Sequence, residues 1–193
     1  SSPISEVDDL SKHSNAWRTT GDIIDTWGSV YSITQQMADW PEFSRPGHWN
    51  DADMLVVGWL GAGHGHLHPT RLTPTEQYTH ISLWAMFSSP LLLGCDLTKL
   101  DEFTQSILTN DEVIAINQDP LGKGAERIFQ DGLIEIWKKE LADGSTALAL
   151  CNFKLHDTKV KLNWEIAGLN GKYILRDVWR QKDLGEYESS FEE

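Results

Sequence analysis

The chain has 193 residues, 40% of them hydrophobic and 23% charged, a composition typical of a folded globular protein rather than a disordered one. Its 16 basic and 29 acidic residues give a formal net charge of −13, which excludes phosphate-rich partners: we expect neither nucleic acid nor membrane binding. No run reaches the roughly 18 apolar residues of a membrane-spanning helix. Cys95 and Cys151 lie far apart in apolar runs, which favours free thiols over a disulfide.

The first two thirds of the chain alternate short apolar strands with amphipathic helices, a pattern that predicts βαβ units and a parallel sheet. The first strand is expected to end between Asn15 and Arg18. A helix follows over Ile24 to Ala38, where apolar residues recur at helical spacing. A second short strand is predicted around His48 and Trp49, after a break rich in proline and glycine.

A third unit follows the segment GAGHGHLHPTRL. Thr73 and Glu76 have the spacing of a helix N-terminus, with Thr73 as the N-cap, and this helix is predicted to run to about Phe87. The next run, SPLLLGCDL, has the continuous apolar character of a strand buried on both faces. Helices are then expected near residues 100–108 and 112–116. Three strand–helix units amount to roughly three eighths of an eightfold barrel of ~250 residues.

The pattern changes near residue 123 to alternating apolar and polar residues. Asp131-Gly132 and Asp143-Gly144 are turn dipeptides that hairpins favour, and alternating runs recur at Thr158 to Leu162 and Lys172 to Asp177. This pattern is typical of an antiparallel β-sandwich. We therefore predict two domains, a partial (β/α)8 barrel over residues 1–122 and a sandwich over residues 123–193.

Asp22 is the first candidate for chemistry, because it follows the first predicted strand and lies four residues after Arg18. Barrel enzymes keep their active sites at the carboxyl ends of the strands, and a carboxylic acid there can donate a proton. The alternative is that Asp22 caps a helix starting at Ile23, which residue-type statistics alone favour. Asp25 is expected to be an acid in the first turn of that helix.

The second candidate is the segment HWNDADM at residues 48–54, a loop with two carboxylates after the second strand. Short carboxylates held in a loop can accept paired hydrogen bonds from sugar hydroxyls. Asp51 and Asp53 also match a D-x-D motif, in which a divalent ion carries a nucleotide sugar, but the motif is short and weak. A third interpretation is that Asp51 accepts hydrogen bonds from the backbone amides of a turn.

Three histidines alternate in the glycine-rich loop, at His64, His66 and His68. Alternation would place them on one side of an extended segment, where they could act as metal ligands. Such a run is more often an exposed loop, and that is the interpretation we favour. No metal site and no cofactor are therefore predicted.

Four segments together resemble glycoside hydrolase family 27, the α-galactosidase or melibiase family. In chain order they are WRTTGDI, GHWNDADMLVVG, LWAMFSSPLLLGCDL and NDEVIAINQDPLGKGAERI. The resemblance covers nearly the whole chain. It implies an α/β fold consisting of the C-terminal part of a (β/α)8 TIM barrel, about strands six to eight, followed by an antiparallel β-sandwich that stops at least one strand short. It also implies a retaining α-glycosidase.

The resemblance assigns roles to four residues. Asp22 matches the family's general acid/base, and Arg18 matches a sugar-binding arginine of the same motif. Asp53 and Met54 match substrate contacts, in a block where Ala52 stands in place of the usual proline. The family's nucleophilic aspartate ends the fourth strand in a motif resembling KYD or KWD, which this chain lacks. The resemblance therefore implies the acid/base half of a site without its nucleophile.

The implied function is hydrolysis of terminal α-D-galactosides in oligosaccharides or glycoconjugates. The implied partner is the N-terminal half of the barrel, from the same polypeptide or a separate chain. An α-N-acetylgalactosaminidase or a β-L-arabinopyranosidase of the same family is an alternative. The residues that determine specificity for the sugar's 2-substituent lie in the missing N-terminal half of the barrel. Two alternatives of other classes are a non-catalytic carbohydrate-binding module and a metal-dependent glycosyltransferase built on Asp51 and Asp53. The resemblance favours a secreted, periplasmic or lysosomal location over the cytoplasm.

Overall fold

The computed structural model describes residues 1–61 and 65–192. Its first region alternates strands with helices, and its second region is built almost entirely of antiparallel strands. The elements of the first region are α1 (Val7–His13), β1 (Ala16–Arg18), α2 (Trp27–Met37), β2 (Trp49–Asp51), β3 (Trp59–Leu60), β4 (His68–Pro69), α3 (Pro74–Met86), α4 (Glu102–Leu108) and α5 (Asp111–Asn117). Those of the second region are β5 (Glu126–Asp131), β6 (Ile134–Glu140), β7 (Thr146–Asn152), β8 (Lys161–Asn163), α6 (Trp164–Ala167), β9 (Lys172–Asp177), β10 (Lys182–Glu188) and β11 (Ser190–Glu192).

The strands β1 and β2 form a parallel pair, which confirms the first two predicted strands. Trp17 lies opposite Asn50, and Arg18 lies opposite Asp51. Because side chains alternate across a strand, Trp17 and Asn50 share the buried face, while Arg18 and Asp51 share the partly open one. The carboxyl ends of the two strands therefore deliver their following loops to the same edge.

The prediction of a third strand buried on both faces is wrong. Within the described residues the segment SPLLLGCDL forms no regular strand, and its one bridge is parallel, between Leu93 and Leu55. Leu92 and Leu93 are 50% and 42% exposed. A strand buried on both faces needs covering layers and neighbouring strands, and the residues described here supply a neighbour on one side only.

The helices of the first region follow their local sequence signals. A capping box at α3 is confirmed, because the Thr73 side chain accepts from the backbone of Glu76 and the Glu76 side chain accepts from the backbone of Thr73. The side chains of Asp101 and Asn110 cap α4 and α5. None of the helices in the described residues is long and apolar enough to span a bilayer.

The second region confirms the antiparallel prediction. The strands β5, β6 and β7 form one sheet, β9 pairs with β10, and β8 pairs with β11. Gly132 and Gly144 occupy the predicted hairpin turns with φ of 59° and 86°, a backbone conformation that glycine adopts without a steric penalty. The strand expected from Thr158 begins only at Lys161. Both cysteines are free, as predicted.

The two regions share a core and a seam of buried polar contacts. The Phe87 ring at the end of α3 meets the Trp137 ring of β6 edge-on, with centroids 5.3 Å apart. Glu135, fully buried in β6, accepts a hydrogen bond of 2.7 Å from Gln35 of α2. Buried Lys139 donates to the carbonyl oxygens of Ala85 and Ile116, near the ends of α3 and α5. The second region thus packs against α2, α3 and α5 of the first region. The domain boundary at residue 122 stays a prediction.

Candidate functional site

Asp22 lies in the turn after β1, with its side chain 96% exposed. The helix-cap interpretation does not hold, because α2 begins at Trp27 and the Thr26 side chain caps it by accepting from Ser29. Since α2 starts four residues later than Ile23, nothing in the helix needs the Asp22 carboxylate. The exposed acid is left open to a ligand.

The expectation for Asp25 is wrong. It precedes α2, and its buried carboxylate accepts hydrogen bonds from the backbone N–H and the Nε of Arg71, at 2.9 and 3.1 Å. Burial raises the pKa of Asp25, but the hydrogen bonds and charge of Arg71 outweigh it, so the pKa lies below its usual value. A contact 46 residues away in the chain, rather than the helix dipole, holds this acid and joins the Asp22 turn to the segment after β4.

Arg18 connects the two predicted acids. Its Nη2 lies 3.2 Å from Asp22 Oδ1 and 2.9 Å from Asp53 Oδ2, and it also donates to the Thr20 carbonyl oxygen at 3.3 Å. A guanidinium is planar and always charged, so it can hold two carboxylates in a defined geometry. Arg18 therefore sets the separation between the exposed acid and the buried one.

Asp53 is buried, and its backbone is left-handed, with φ of 77°. Its Oδ2 accepts a hydrogen bond from the Ile23 N–H at 2.7 Å and also contacts Arg18. Asp53 therefore binds the residue directly after Asp22. Met54, the next residue, is 43% exposed and lies beside Gly94 of the segment SPLLLGCDL. The structure thus brings Asp22, Arg18 and Asp53 together, and Met54 is exposed directly after Asp53 in the chain.

Asp51 behaves as the turn interpretation predicts. Its Oδ1 accepts from the Asp53 N–H at 2.8 Å, and burial raises its pKa. The Asp53 carboxylate accepts a hydrogen bond from the Ile23 N–H and pairs with Arg18. The D-x-D pair is therefore not arranged around a cation. Within residues 1–61 and 65–192, no three histidine, cysteine or acidic side chains are grouped as a metal site would need.

The predicted histidine run is only partly described. His64 lies outside the described residues, while His66 is exposed and His68 is half-buried in β4. His68 Nδ1 lies 3.9 Å from Asp25 Oδ2 and 2.9 Å from the Pro69 carbonyl oxygen. His68 therefore lies beside the Asp25–Arg71 contact.

Two residues that support the site were not found from the sequence. The Trp84 indole N–H donates to the Asp53 carbonyl oxygen at 2.7 Å. Ser89 Oγ accepts from the Ala52 N–H and donates to the Asn50 carbonyl oxygen, both at 2.8 Å. Both lie in the block LWAMFSSP, but a sequence motif carries no sign of a contact with a loop more than thirty residues away.

Two family models match the chain. That of alpha galactosidase A matches residues 2–119, and that of the alpha galactosidase C-terminal beta sandwich domain matches residues 131–192. Among curated relatives, alpha-galactosidase 2 of Arabidopsis thaliana is 40% identical over 167 residues, which cover 86% of this chain and 40% of the relative.

Solved structures agree with these matches. A family 27 β-L-arabinopyranosidase from Geobacillus stearothermophilus superposes with a TM-score of 0.92 at 32% identity, covering 99% of this chain and 44% of that one. Alpha-galactosidase I from Mortierella vinacea superposes with a TM-score of 0.87 at 28% identity, covering 97% and 52%. The chain spans about half or less of the length of these proteins, and its fold is the C-terminal part of a (β/α)8 barrel followed by an antiparallel β-sandwich. The chain therefore belongs to glycoside hydrolase family 27, the alpha-galactosidase family.

Proposed function

We propose that this chain supplies the acid/base half of the active site of a retaining glycosidase that hydrolyses terminal α-D-galactosides. The observation that carries the proposal is the setting of Asp22, which is exposed at the end of a barrel strand and held by Arg18. A proton donor must be held in place and yet be open to its substrate, and Asp22 meets both requirements. The activities named for the family members give the class of reaction.

In this mechanism a carboxylate from outside the chain attacks the anomeric carbon, while Asp22 protonates the glycosidic oxygen as the leaving alcohol departs. Asp22 then takes a proton from the water that displaces the enzyme carboxylate, and so returns to its acid form. A retaining reaction needs the two carboxyl groups about 5–5.5 Å apart. Arg18 and Met54, both partly exposed, would contact the terminal sugar, and Asp53 belongs to the same subsite through its bond to Arg18.

The mechanism requires the N-terminal half of the barrel, from the same polypeptide or a separate chain. Among the described strands β1 pairs with β2 alone, so its other edge carries no strand. Leu92 and Leu93 also expose apolar surface, beside the isolated bridge between Leu93 and Leu55. Unpaired edges and exposed apolar runs are features that folded proteins usually cover. A preceding half-barrel would cover both.

A second substrate is favoured by one observation, the close superposition on a β-L-arabinopyranosidase. β-L-Arabinopyranose has the ring configuration of α-D-galactopyranose without the hydroxymethyl group, so the same acid/base could serve both sugars. Rates on the 4-nitrophenyl α-D-galactoside, β-L-arabinopyranoside and α-N-acetylgalactosaminide, measured with the complete enzyme, decide between them. A preference for either of the latter two would replace the proposed substrate and leave the reaction unchanged.

The role of Asp22 is tested in the complete enzyme, meaning this chain together with the rest of its barrel. Asp22→Ala should lower the rate on an alkyl α-galactoside by about 10²- to 10⁴-fold, the usual contribution of a general acid. Azide should restore turnover of an activated aryl galactoside and give the galactosyl azide of retained α configuration, because a small anion needs no base. Asp39→Ala, a change at an exposed acid just after α2, is the matched control and should keep full activity.

Two outcomes would reject this assignment. Full activity of Asp22→Ala would show that the acid lies elsewhere. A wild-type enzyme that binds galactose without turnover, with affinity unchanged by Asp22→Ala, would identify a carbohydrate-binding module instead.

A further inference from the structure

We infer that Trp84 of α3 is a positioning residue for the acid/base turn: its indole N–H holds Asp53 in a left-handed conformation, and Asp53 in turn holds Asp22. The kinetic consequence of this inference rests on the proposed function. The structural link from α3 to the Asp22 turn can be tested without it.

The backbone of Asp53 is held in an unfavourable conformation. A φ of 77° is unfavourable for a residue with a Cβ, and it persists only where the surroundings impose it. The Asp53 N–H donates to Asp51 Oδ1 at 2.8 Å, and its carbonyl oxygen accepts from Trp84 Nε1 at 2.7 Å. The two peptide groups that flank its Cα are therefore held from opposite sides, one by β2 and one by α3.

The carboxylate of Asp53 passes this constraint on to the acid. Its Oδ2 accepts from the Ile23 N–H at 2.7 Å and lies 2.9 Å from Arg18 Nη2. Ile23 follows Asp22 directly, and Arg18 contacts the Asp22 side chain. A rotation of the Asp53 backbone would therefore move both of the groups that place the exposed acid.

Trp84 is suited to act as an anchor because its side chain is enclosed in the hydrophobic core. It is fully buried, and its ring meets that of His80 edge-on, with centroids 4.1 Å apart. His80 lies one turn earlier on the same face of α3, and its Nε2 accepts from the Val56 N–H at 3.1 Å. Burial lowers the pKa of His80 to about 3, so the ring stays neutral and keeps this acceptor. One helix face thus binds the segment 53–56 at two points.

The residues before Asp53 are held independently. Ser89 Oγ bonds to the backbone of both Ala52 and Asn50, and the Asn117 side chain donates to the Ser89 carbonyl oxygen at 2.9 Å. Because the strand end has its own contacts, removal of the Trp84 bond releases the Asp53 backbone and leaves the loop attached.

The test uses Trp84→Phe, which keeps an aromatic ring and removes the N–H. The matched control is Trp164→Phe in the second region. Trp164 is also buried, and its Nε1 donates to a backbone carbonyl oxygen, that of Gly171, at 3.0 Å. Both variants lose one indole hydrogen bond to a peptide group, so their unfolding midpoints should fall by similar amounts. Only Trp84 contacts the acid/base loop.

In the complete enzyme, Trp84→Phe should lower kcat on an alkyl α-galactoside by about 10- to 100-fold, the effect of a small misplacement of a catalytic group, with KM little changed. The loss of kcat/KM should be much smaller on a 2,4-dinitrophenyl galactoside, because kcat/KM reports the first step and this leaving group needs little protonation there. Trp164→Phe should leave both values of kcat/KM unchanged. Equal losses of kcat/KM on the two substrates, or equal kinetics in the two variants, would overturn the inference.

A measurement independent of activity separates this inference from the proposed function. Hydrogen exchange of the Ile23 amide should be faster in Trp84→Phe than in wild type and unchanged in Trp164→Phe. If the wild-type enzyme turns over no glycoside and the exchange difference is seen, the proposed function fails and the positioning link holds. If Trp84→Phe does not fold, benzothienylalanine at position 84 keeps the ring shape without the N–H and gives the same comparison. Unchanged Ile23 exchange in the folded variant would reject the link.

Discussion

The first and second regions of the molecule treat buried polar groups differently. In the described residues, every buried side-chain polar atom without a hydrogen-bond partner belongs to the first region. These atoms lie on Trp17, Arg18, Thr20, His48, Asn50 and His80. The second region buries two acidic or basic side chains in the described residues, Glu135 and Lys139. Each of them has several hydrogen-bond donors or acceptors as partners.

Five of these six atoms lie on or beside β1 and β2, where the exposed acid and the free strand edge also lie, and the sixth, on His80, lies in α3. Buried polar groups normally have hydrogen-bond partners. A group of unpartnered ones therefore indicates that their partners lie outside the described residues. In the second region, by contrast, buried Glu135 and Lys139 find partners on α2, α3 and α5. The surface that we propose to carry the chemistry is therefore also the surface where we expect another part of the barrel to lie.

The largest expected effect on stability lies at the seam, where Arg127 Nη1 is 3.3 Å from the fully buried carboxylate of Glu135. Arg127→Met leaves that charge without its cation, so the free energy of unfolding should fall by about 3 kcal/mol. The double variant Arg127→Met/Glu135→Gln should recover part of the loss, because it leaves no unpaired charge at position 135. Urea unfolding measures both. Equal stability of the single variant and wild type would contradict the claim that the Arg127–Glu135 pair stabilises this buried polar region.

The next effect tests the open side. In the complete enzyme Leu93 should be buried, so Leu93→Ser should lower the free energy of unfolding by about 2 kcal/mol or more. Leu155→Ser is the control, since Leu155 is 97% exposed in the second region and should tolerate the change. Differential scanning calorimetry compares the two variants. Identical transitions would mean that Leu93 stays exposed and that no half-barrel covers it.

The effect that is smallest for each step of the measurement is a pH dependence at Lys139, whose pKa burial lowers to about 8. Between about pH 8 and the usual lysine pKa of about 10.4, the unfolded chain binds this proton and the folded chain does not, so stability rises with pH. The free energy of unfolding of wild type minus that of Lys139→Met should therefore increase across this window, by at most about 1.4 kcal/mol per pH unit. Urea unfolding from pH 7 to 10 measures it. A flat difference would show that Lys139 titrates as in the unfolded chain.

Features set by neighbouring residues could be predicted from the sequence. The capping box of Thr73 and Glu76 and the hairpin turns at Gly132 and Gly144 depend on contacts within a few residues, and all three are confirmed. The two strand ends before Asp22 and Asp53 were found for the same reason, because hydrophobic runs and turn signals are local.

Features set by distant residues could not be predicted. Asp25 has the residue type and spacing of a first-turn helix acid, and only the fold reveals Arg71 as its partner. The segment with Leu93 has the composition of a buried strand, but burial depends on what covers it. The site shows the same limit: Asp22 and Arg18 follow from one motif, whereas the contact of Trp84 with Asp53 requires α3 to pack against the strand ends.

The central claim is that this chain holds the acid/base and that the nucleophile lies outside it. The most direct test measures hydrolysis of 4-nitrophenyl α-D-galactoside by the isolated chain, by the complete enzyme and by the Asp22→Asn variant of each. We predict turnover by the complete enzyme alone, largely lost in its Asp22→Asn variant. Turnover by the isolated chain that Asp22→Asn abolishes would contradict the claim, because the chain would then hold both carboxylates.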